Sequence, residues 1–180
     1  KEHNADLIVM GSHGSSGLKE IFVGSNTEKV VRHADIPVLV IKNKPSTLSF
    51  DNVVFASDFS QESVTPYINA CQLFGKLGSK IHLLHVNTPG DNFKSSQEIE
   101  QTVVDFLNKA DGDLNQLEHV KYVSDYTVEK GVLNYANVAG ADAIAVATHG
   151  RTGFTHFLAG SISEDIANHA ALPVITFKIK

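Results

Sequence analysis

A stretch near the start of this 180-residue chain returns 136 residues later, and that return restricts the fold more than any composition does. With His13 set against His149, Asp6 meets Asp142, Gly14 meets Gly150, Gly17 meets Gly153, and Gly24-Ser25 meets Gly160-Ser161. Further on, Glu28 meets Glu164, His33-Ala34 meets His169-Ala170, and Pro37-Val38 meets Pro173-Val174, up to Lys42 and Lys178. Self-similarity at a fixed offset marks a repeated supersecondary unit. Each copy reads as strand, glycine loop, helix, strand.

The second copy shows what such a unit offers a ligand. Ala143 to Val146 is an apolar strand, Ala147 to Ser161 a connection rich in glycine, and Ile162 to His169 a helical pattern. A helix that opens on Gly160-Ser161 presents unpaired backbone N–H groups and a positive dipole end, which favour an anion. Both loops therefore read as phosphate cradles.

Between the copies lies a polar segment with Pro45, residues 43–49, which reads as a linker. It divides the chain into an incomplete first unit, residues 1–42, and a complete second unit, residues 50–180. The second unit opens on the strand Val53-Val54-Phe55-Ala56 and the turn Ser57-Asp58-Phe59-Ser60. A helix is expected from Gln61 to Leu77, with Pro66 tolerated only near its first turn, and Gly78 stops it. A strand follows at Ile81 to Val86 and a helix at Ser95 to Leu107, whose Ile99, Val103, Phe106 and Leu107 share one face. After the Asp111-Gly112-Asp113 loop come a strand at His119 to Ser124, a helix at Thr127 to Val138, and strands at Ala143 to Val146 and Val174 to Phe177.

Five apolar strands alternating with four helices predict an α/β fold, a parallel sheet with helices on both faces. Such sheets bind ligands at the carboxyl ends of their strands, where strand order reverses. Asp58 and the Ala147–Gly150 turn both fall at strand carboxyl ends. One pocket could hold both.

Composition narrows the function classes. A net charge of −5 without any basic run excludes a nucleic-acid surface as the main activity. No apolar run reaches the roughly 18 residues of a membrane span. Cys71 is the single cysteine, so no internal disulfide exists, and a cytoplasmic setting is expected.

The motif Gly-x2-Gly-x9-Gly-Ser is complete at Gly11, Gly14, Gly24 and Ser25, and is met at Ala147, Gly150, Gly160 and Ser161 with alanine in the first place. With Ala56-Ser-Asp-Phe-Ser60, these residues make the chain resemble the universal stress protein family in its tandem form, over essentially its whole length. The resemblance implies strand order 3-2-1-4-5 in the second unit, a Rossmann-like nucleotide-binding sheet, and a partial second copy beside it. It also implies ATP or AMP, with or without Mg, bound by Ala56, Asp58, Val86, Ala147, His149, Gly150, Gly160, Ser161, Ile162 and Ser163. Asp58 would meet the adenosine end, the Val86 backbone the adenine edge, and the loop the ribose and phosphates. The partial copy carries the matching Gly11, Gly14, Gly24 and Ser25, but starts without a first strand of its own; upstream residues, about a hundred for such a domain, or a partner chain are expected to supply it. The last strands of the units, Val38–Ile41 and Val174–Phe177, are expected to pair antiparallel, with a homodimer as a further form, since long apolar edges need cover.

Plainer readings stand beside these. Ser161-Ile-Ser-Glu164 and Ser25-Asn-Thr-Glu28 are also capping boxes, and Asp58 also suits the cap of the helix near Ser60. The glycines serve equally as turn punctuation. His13 and His149 have no second ligand at metal spacing, His85 suits a satisfied core position, and Cys71 a small buried hydrophobe. Gly-x-Ser-x-Gly, Gly-x4-Gly-Lys-Ser/Thr and Gly-x-Gly-x-x-Gly are all absent. With no loop lysine to neutralise a transferring phosphate, at most slow hydrolysis is expected. The leading expectation is a nucleotide-sensitive stress-response regulator; the alternative is a tandem interaction protein with a vestigial site.

Overall fold

The computed structural model describes residues 5–11, 25–43, 49–90, 93–149, 166–167 and 169–179. Their strands are β1 (Ile8–Gly11), β2 (Val38–Ile41), β3 (Asn52–Ala56), β4 (Lys80–Asn87), β5 (Lys121–Ser124), β6 (Ala143–His149) and β7 (Val174–Ile179). The helices are α1 (Ser25–His33), α2 (Val64–Leu77), α3 (Ser96–Ala110) and α4 (Val128–Val138), with 3-10 turns at Gln61–Ser63 and Leu114–His119.

The seven strands form one sheet in the order β1-β2-β7-β6-β3-β4-β5. Within it, β5, β4, β3, β6 and β7 are mutually parallel and follow the expected order. The expectation of a purely parallel five-stranded sheet is corrected by the other end: β2 lies antiparallel to β7, and β1 continues parallel to β2, so the sheet is mixed. The physical reason is the edge itself. Val174 to Phe177 is buried on both faces, and unpaired N–H and C=O groups beside such a strand are satisfied when Val38, Leu39 and Val40 pair with Thr176, Ile175 and Val174. Thr176 Oγ1 also donates to the Val38 carbonyl at 3.4 Å, and Lys178 Nζ pairs with Asp35 at 3.1 Å.

The 136-residue offset reappears in the backbone. Ile8 N donates to the Pro37 carbonyl, and Ile144 N to the Pro173 carbonyl, both at 3.0 Å. Ala34 N donates to Val30 O, and Ala170 N to Ile166 O, both at 2.8 Å. Ile8 pairs with Val38 as Ile144 pairs with Val174.

Alternation along the strands builds two cores. On one face Val53, Phe55, Leu83, Ile175 and Phe177 pack with Tyr67 and Phe74 of α2 and Val103 and Phe106 of α3. On the other, Val54, Ala56, Leu84, Val86, Ile144 and Val146 pack with Val132 and Ala136 of α4 and with Ile166. Burying a large apolar side chain contributes about 1.5–3 kcal/mol, so each helix is held mainly by this inward stripe.

Three local expectations change. The segment at His119 is a 3-10 turn, and β5 begins at Lys121, because Leu114-Asn-Gln-Leu-Glu-His119 lacks strand alternation and Asp113 caps it by accepting from Asn115 N. Helix α3 runs three residues beyond Leu107 to Ala110 and carries a capping box: Ser95 Oγ accepts from Glu98 N, and Glu98 accepts from Ser95 N at 2.8 Å. Strand β6 extends to His149 because β7 extends with it, pairing Ala147 with Phe177, Thr148 with Lys178 and His149 with Ile179.

Candidate functional site

Strands β4 and β6 flank β3 on opposite sides; α2, which follows β3, packs on one face of the sheet, and Ile166 and Ala167, between β6 and β7 in the chain, pack on the other. This is the point of reversal where doubly wound sheets open a crevice.

The turn after β3 is tightly built. Ser57 N continues the ladder by donating to Leu84 O at 3.0 Å, and Ser57 Oγ accepts from Phe59 N at 2.9 Å. Asp58 Oδ1 accepts from Ser60 N and from the buried Ser63 Oγ, each at 2.9 Å. Ser60 and Ser63 hydroxyls lie 3.1 Å apart. Asp58 thus closes an Asx-type turn onto Ser60 N and is half-buried; the expected cap role is corrected, since the caps of the 3-10 turn and of α2 are Ser60 and Ser63, neither with a side-chain cap bond.

Phe59 turns the chain with φ +58°, the left-handed region that bulky residues avoid at a strain of about 1–3 kcal/mol. What it gains is burial. Its ring stacks on His85 at 5.5 Å and meets Phe106 edge-on at 5.2 Å. His85, on β4, is buried, and its Nδ1 has no hydrogen-bond partner. Burial pushes the imidazole below its ordinary range; the hydrogen-bonded Ser57 backbone opposes this, Lys94 reinforces it, and Asp58 opposes it. The expectation of a satisfied core histidine is therefore corrected for one of its two nitrogens.

Val86, next along β4, points to the opposite face against α4, where Gly131 leaves room for it: a Cβ on Gly131 would stand 2.5 Å from Val86 Cγ1. The end of β4 is fixed further by Asn87. Its side chain donates to Lys94 O at 2.8 Å and accepts from Lys94 N at 3.1 Å, and its carbonyl accepts from Asp125 N at 3.2 Å.

Ala56 and Ala147 lie in β3 and β6, both buried, and His149 is the last residue of β6. Among the described residues Phe59 is the non-glycine with positive φ, so Ala147 occupies ordinary strand backbone that a Cβ suits. Gly11 ends β1, where its carbonyl accepts from Thr27 Oγ1 at 3.1 Å, and Ser25 opens α1. Gly14, Gly24, Gly150, Gly160, Ser161, Ile162 and Ser163 lie outside the described residues. The structure thus brings Ala56, Asp58, Val86 and Ala147 to one edge of the parallel block. His85, Asn87 and Gly131 join them without having been singled out as site residues; the glycine inside an otherwise helical pattern was the legible signal for the last.

Among the described residues no helix is long and apolar enough to cross a membrane, and no group of three or more His, Cys, Asp or Glu could hold a metal ion.

The strand order and the helices packed on both faces of the sheet define a doubly wound α/β protein of the Rossmann-like class. The model of the Universal stress protein family matches residues 1–42 and 49–178, and the chain belongs to that family. Universal stress protein Slr1230 of Synechocystis is 24% identical over 178 residues, covering 96% of this chain and 58% of that protein. The crystal structure of a universal stress protein from Archaeoglobus fulgidus matches with a TM-score of 0.72 at 27% identity, covering 98% of this chain and 64% of that one. A universal stress protein solved in complex with cAMP shares the fold at a TM-score of 0.51 and 17% identity, covering 73% of this chain and 99% of that one. The chain thus spans less than two thirds of the length of the first two.

Proposed function

We propose that the chain binds an adenine nucleotide, ATP or AMP with or without Mg, at the carboxyl edge of the parallel block, and that it acts as a nucleotide-sensitive stress-response regulator. The observation that carries the reading is Asp58, held half-buried on a strained, doubly anchored turn at the point where strand order reverses. In this reading Asp58 takes the adenosine end, the Val86 backbone the adenine edge, and Gly150, Gly160, Ser161, Ile162 and Ser163 the ribose and phosphates. Ala56, Ala147 and His149 line the approach. Membership of the family and the cAMP complex of one fold relative support the choice of an adenine nucleotide. Residues 1–42 and 50–180 carry two copies of one motif, the first with its own Gly11, Gly14, Gly24 and Ser25. Their last strands form the junction, and a homodimer is a further assembly of the same kind.

Calorimetric titration with ATP tests this. Wild-type protein is expected to bind below millimolar nucleotide. Asp58→Ala removes a hydrogen bond to a charged group, about 1.5–3 kcal/mol, and should weaken binding on the order of 10- to 100-fold; Gly160→Val should abolish it. Absence of binding by the wild type at millimolar ATP refutes the proposal and leaves the interaction-protein reading.

A further inference from the structure

His85 is the buried ionisable group that nucleotide contact leaves unused. It is 8% exposed, its Nδ1 is unpartnered, and it carries the ring on which the strained Phe59 rests. Phe59 stands between Asp58 and Ser60, so the stack, the Ser57 hydroxyl and the two bonds to Asp58 Oδ1 together fix where the carboxylate sits. We propose that neutral His85 is a positioning residue for Asp58, and that its protonation releases the Ser57–Ser60 turn and weakens nucleotide binding in acid. This rests on the nucleotide reading above.

The charge balance around the ring gives the direction. A proton on Nδ1 creates a donor where the fold provides no acceptor, and a buried donor without a partner is unfavourable. Lys94 from the β4–α3 connection opposes the added charge, and Asp58 from the β3–α2 turn offsets it less strongly. On β5 the register partner of His85 is Tyr122, which answers in turn to Glu100 of α3. From α3 the group packed against the Phe59–His85 stack is the uncharged Phe106. Two outcomes relieve the new donor: the ring leaves its stack, or Asp58 swings towards it. Either breaks the bonds from Ser60 N and Ser63 Oγ that hold Asp58 in place.

The experiment has two arms. In the first, the side-chain signal of His85 and the amide signals of Phe59 and Ser60 are followed by NMR from pH 8 to 5 without nucleotide; a shared midpoint is expected. In the second, ATP affinity is measured at pH 7.5 and 5.5 for wild type and His85→Phe, which keeps an aromatic ring under Phe59 and cannot titrate. The γ-phosphate's own protonation is common to both proteins, so the ratio isolates His85. Wild type should lose more affinity than the variant, by less than about tenfold, because a ring held below 6.5 is only partly protonated at pH 5.5. Equal losses in the two proteins, or Phe59 and Ser60 signals that stay still while His85 titrates, overturn the proposal. If wild type binds no ATP at either pH, the nucleotide reading fails, and the NMR arm still decides whether His85 positions the turn.

Discussion

Two glycines inside helices make opposite demands, and substituting each by alanine separates them. Alanine is favoured over glycine in a helix interior by about 1 kcal/mol. At Gly75 in α2 a Cβ meets nothing within 4 Å, so Gly75→Ala should realise most of that gain. At Gly131 in α4 the same Cβ would lie 2.5 Å from Val86 Cγ1, 2.9 Å from Cγ2 and 3.3 Å from Asp125 Cβ. Carbon atoms rest about 3.5–4.0 Å apart, so an ångström or so must be found. Val86 cannot readily supply it: a β-branched side chain is stiff at χ1, and β4 is bound on both sides by β3 and β5. The helix must lift away instead, and overpacking of this kind costs about 1–3 kcal/mol. Gly131→Ala should therefore be less stable than Gly75→Ala by about 2 kcal/mol, a gap of about 4–8 °C in Tm for a chain this long. Urea and thermal melts of both variants measure it. The double variant Gly131→Ala, Val86→Ala closes the cycle, since with the valine methyls gone the alanine at 131 should revert to neutral or stabilising. If Gly131→Ala proves as stabilising as Gly75→Ala, the close seating of α4 on β4 is refuted.

The remaining expectations are smaller. Ser95→Ala removes the cap of α3 and should cost about 1 kcal/mol, read as a lower urea midpoint. Hydrogen bonds from Ser95 hold the exposed Glu98 carboxyl below its ordinary value of 4.5. Its contribution is therefore present above that value and lost as pH falls through the depressed one, so the midpoint gap between wild type and Glu98→Gln should narrow in acid. Burial pushes both His82 and His85 below 6.5. The unfolded chain then takes up protons first, so stability should decline as pH drops below about 6.5 and level off under the depressed values; a flat series of midpoints between pH 7.5 and 5 would contradict this. Burial also raises the Cys71 thiol, against a hydrogen bond from Tyr67 and with Asp111 reinforcing it, so a colourimetric thiol reagent should react far more slowly with native than with denatured protein at pH 7.

The apolar runs at Val53 to Ala56, Ile81 to Val86 and Ala143 to Val146 placed the three central strands, because a strand covered on both faces has to be apolar throughout. The ends were less legible. Strand β6 outlasts its apolar run by three residues, as its length is set by β7 beside it and not by its own composition. The capping box at Ser95-Ser-Gln-Glu98 was present in the sequence as Ser-x-x-Glu and is a local signal that needs no tertiary contact. Phe59 is different. Nothing about a phenylalanine announces left-handed backbone; only the rings of His85 and Phe106, brought from β4 and α3, make that conformation worth its strain. Asp58 was legible as a residue and illegible as a geometry for the same reason.

The antiparallel join of β2 to β7 fixes a polarity. Since β1 runs with β2, and β6 with β7, the two loop-bearing strands β1 and β6 run in opposite senses within one sheet. Gly11, which ends β1, and His149, which ends β6, therefore open on opposite rims. Between those rims the backbone ladder runs through Val38, Leu39 and Val40 paired with Thr176, Ile175 and Val174, so the sheet reverses its direction at that one seam.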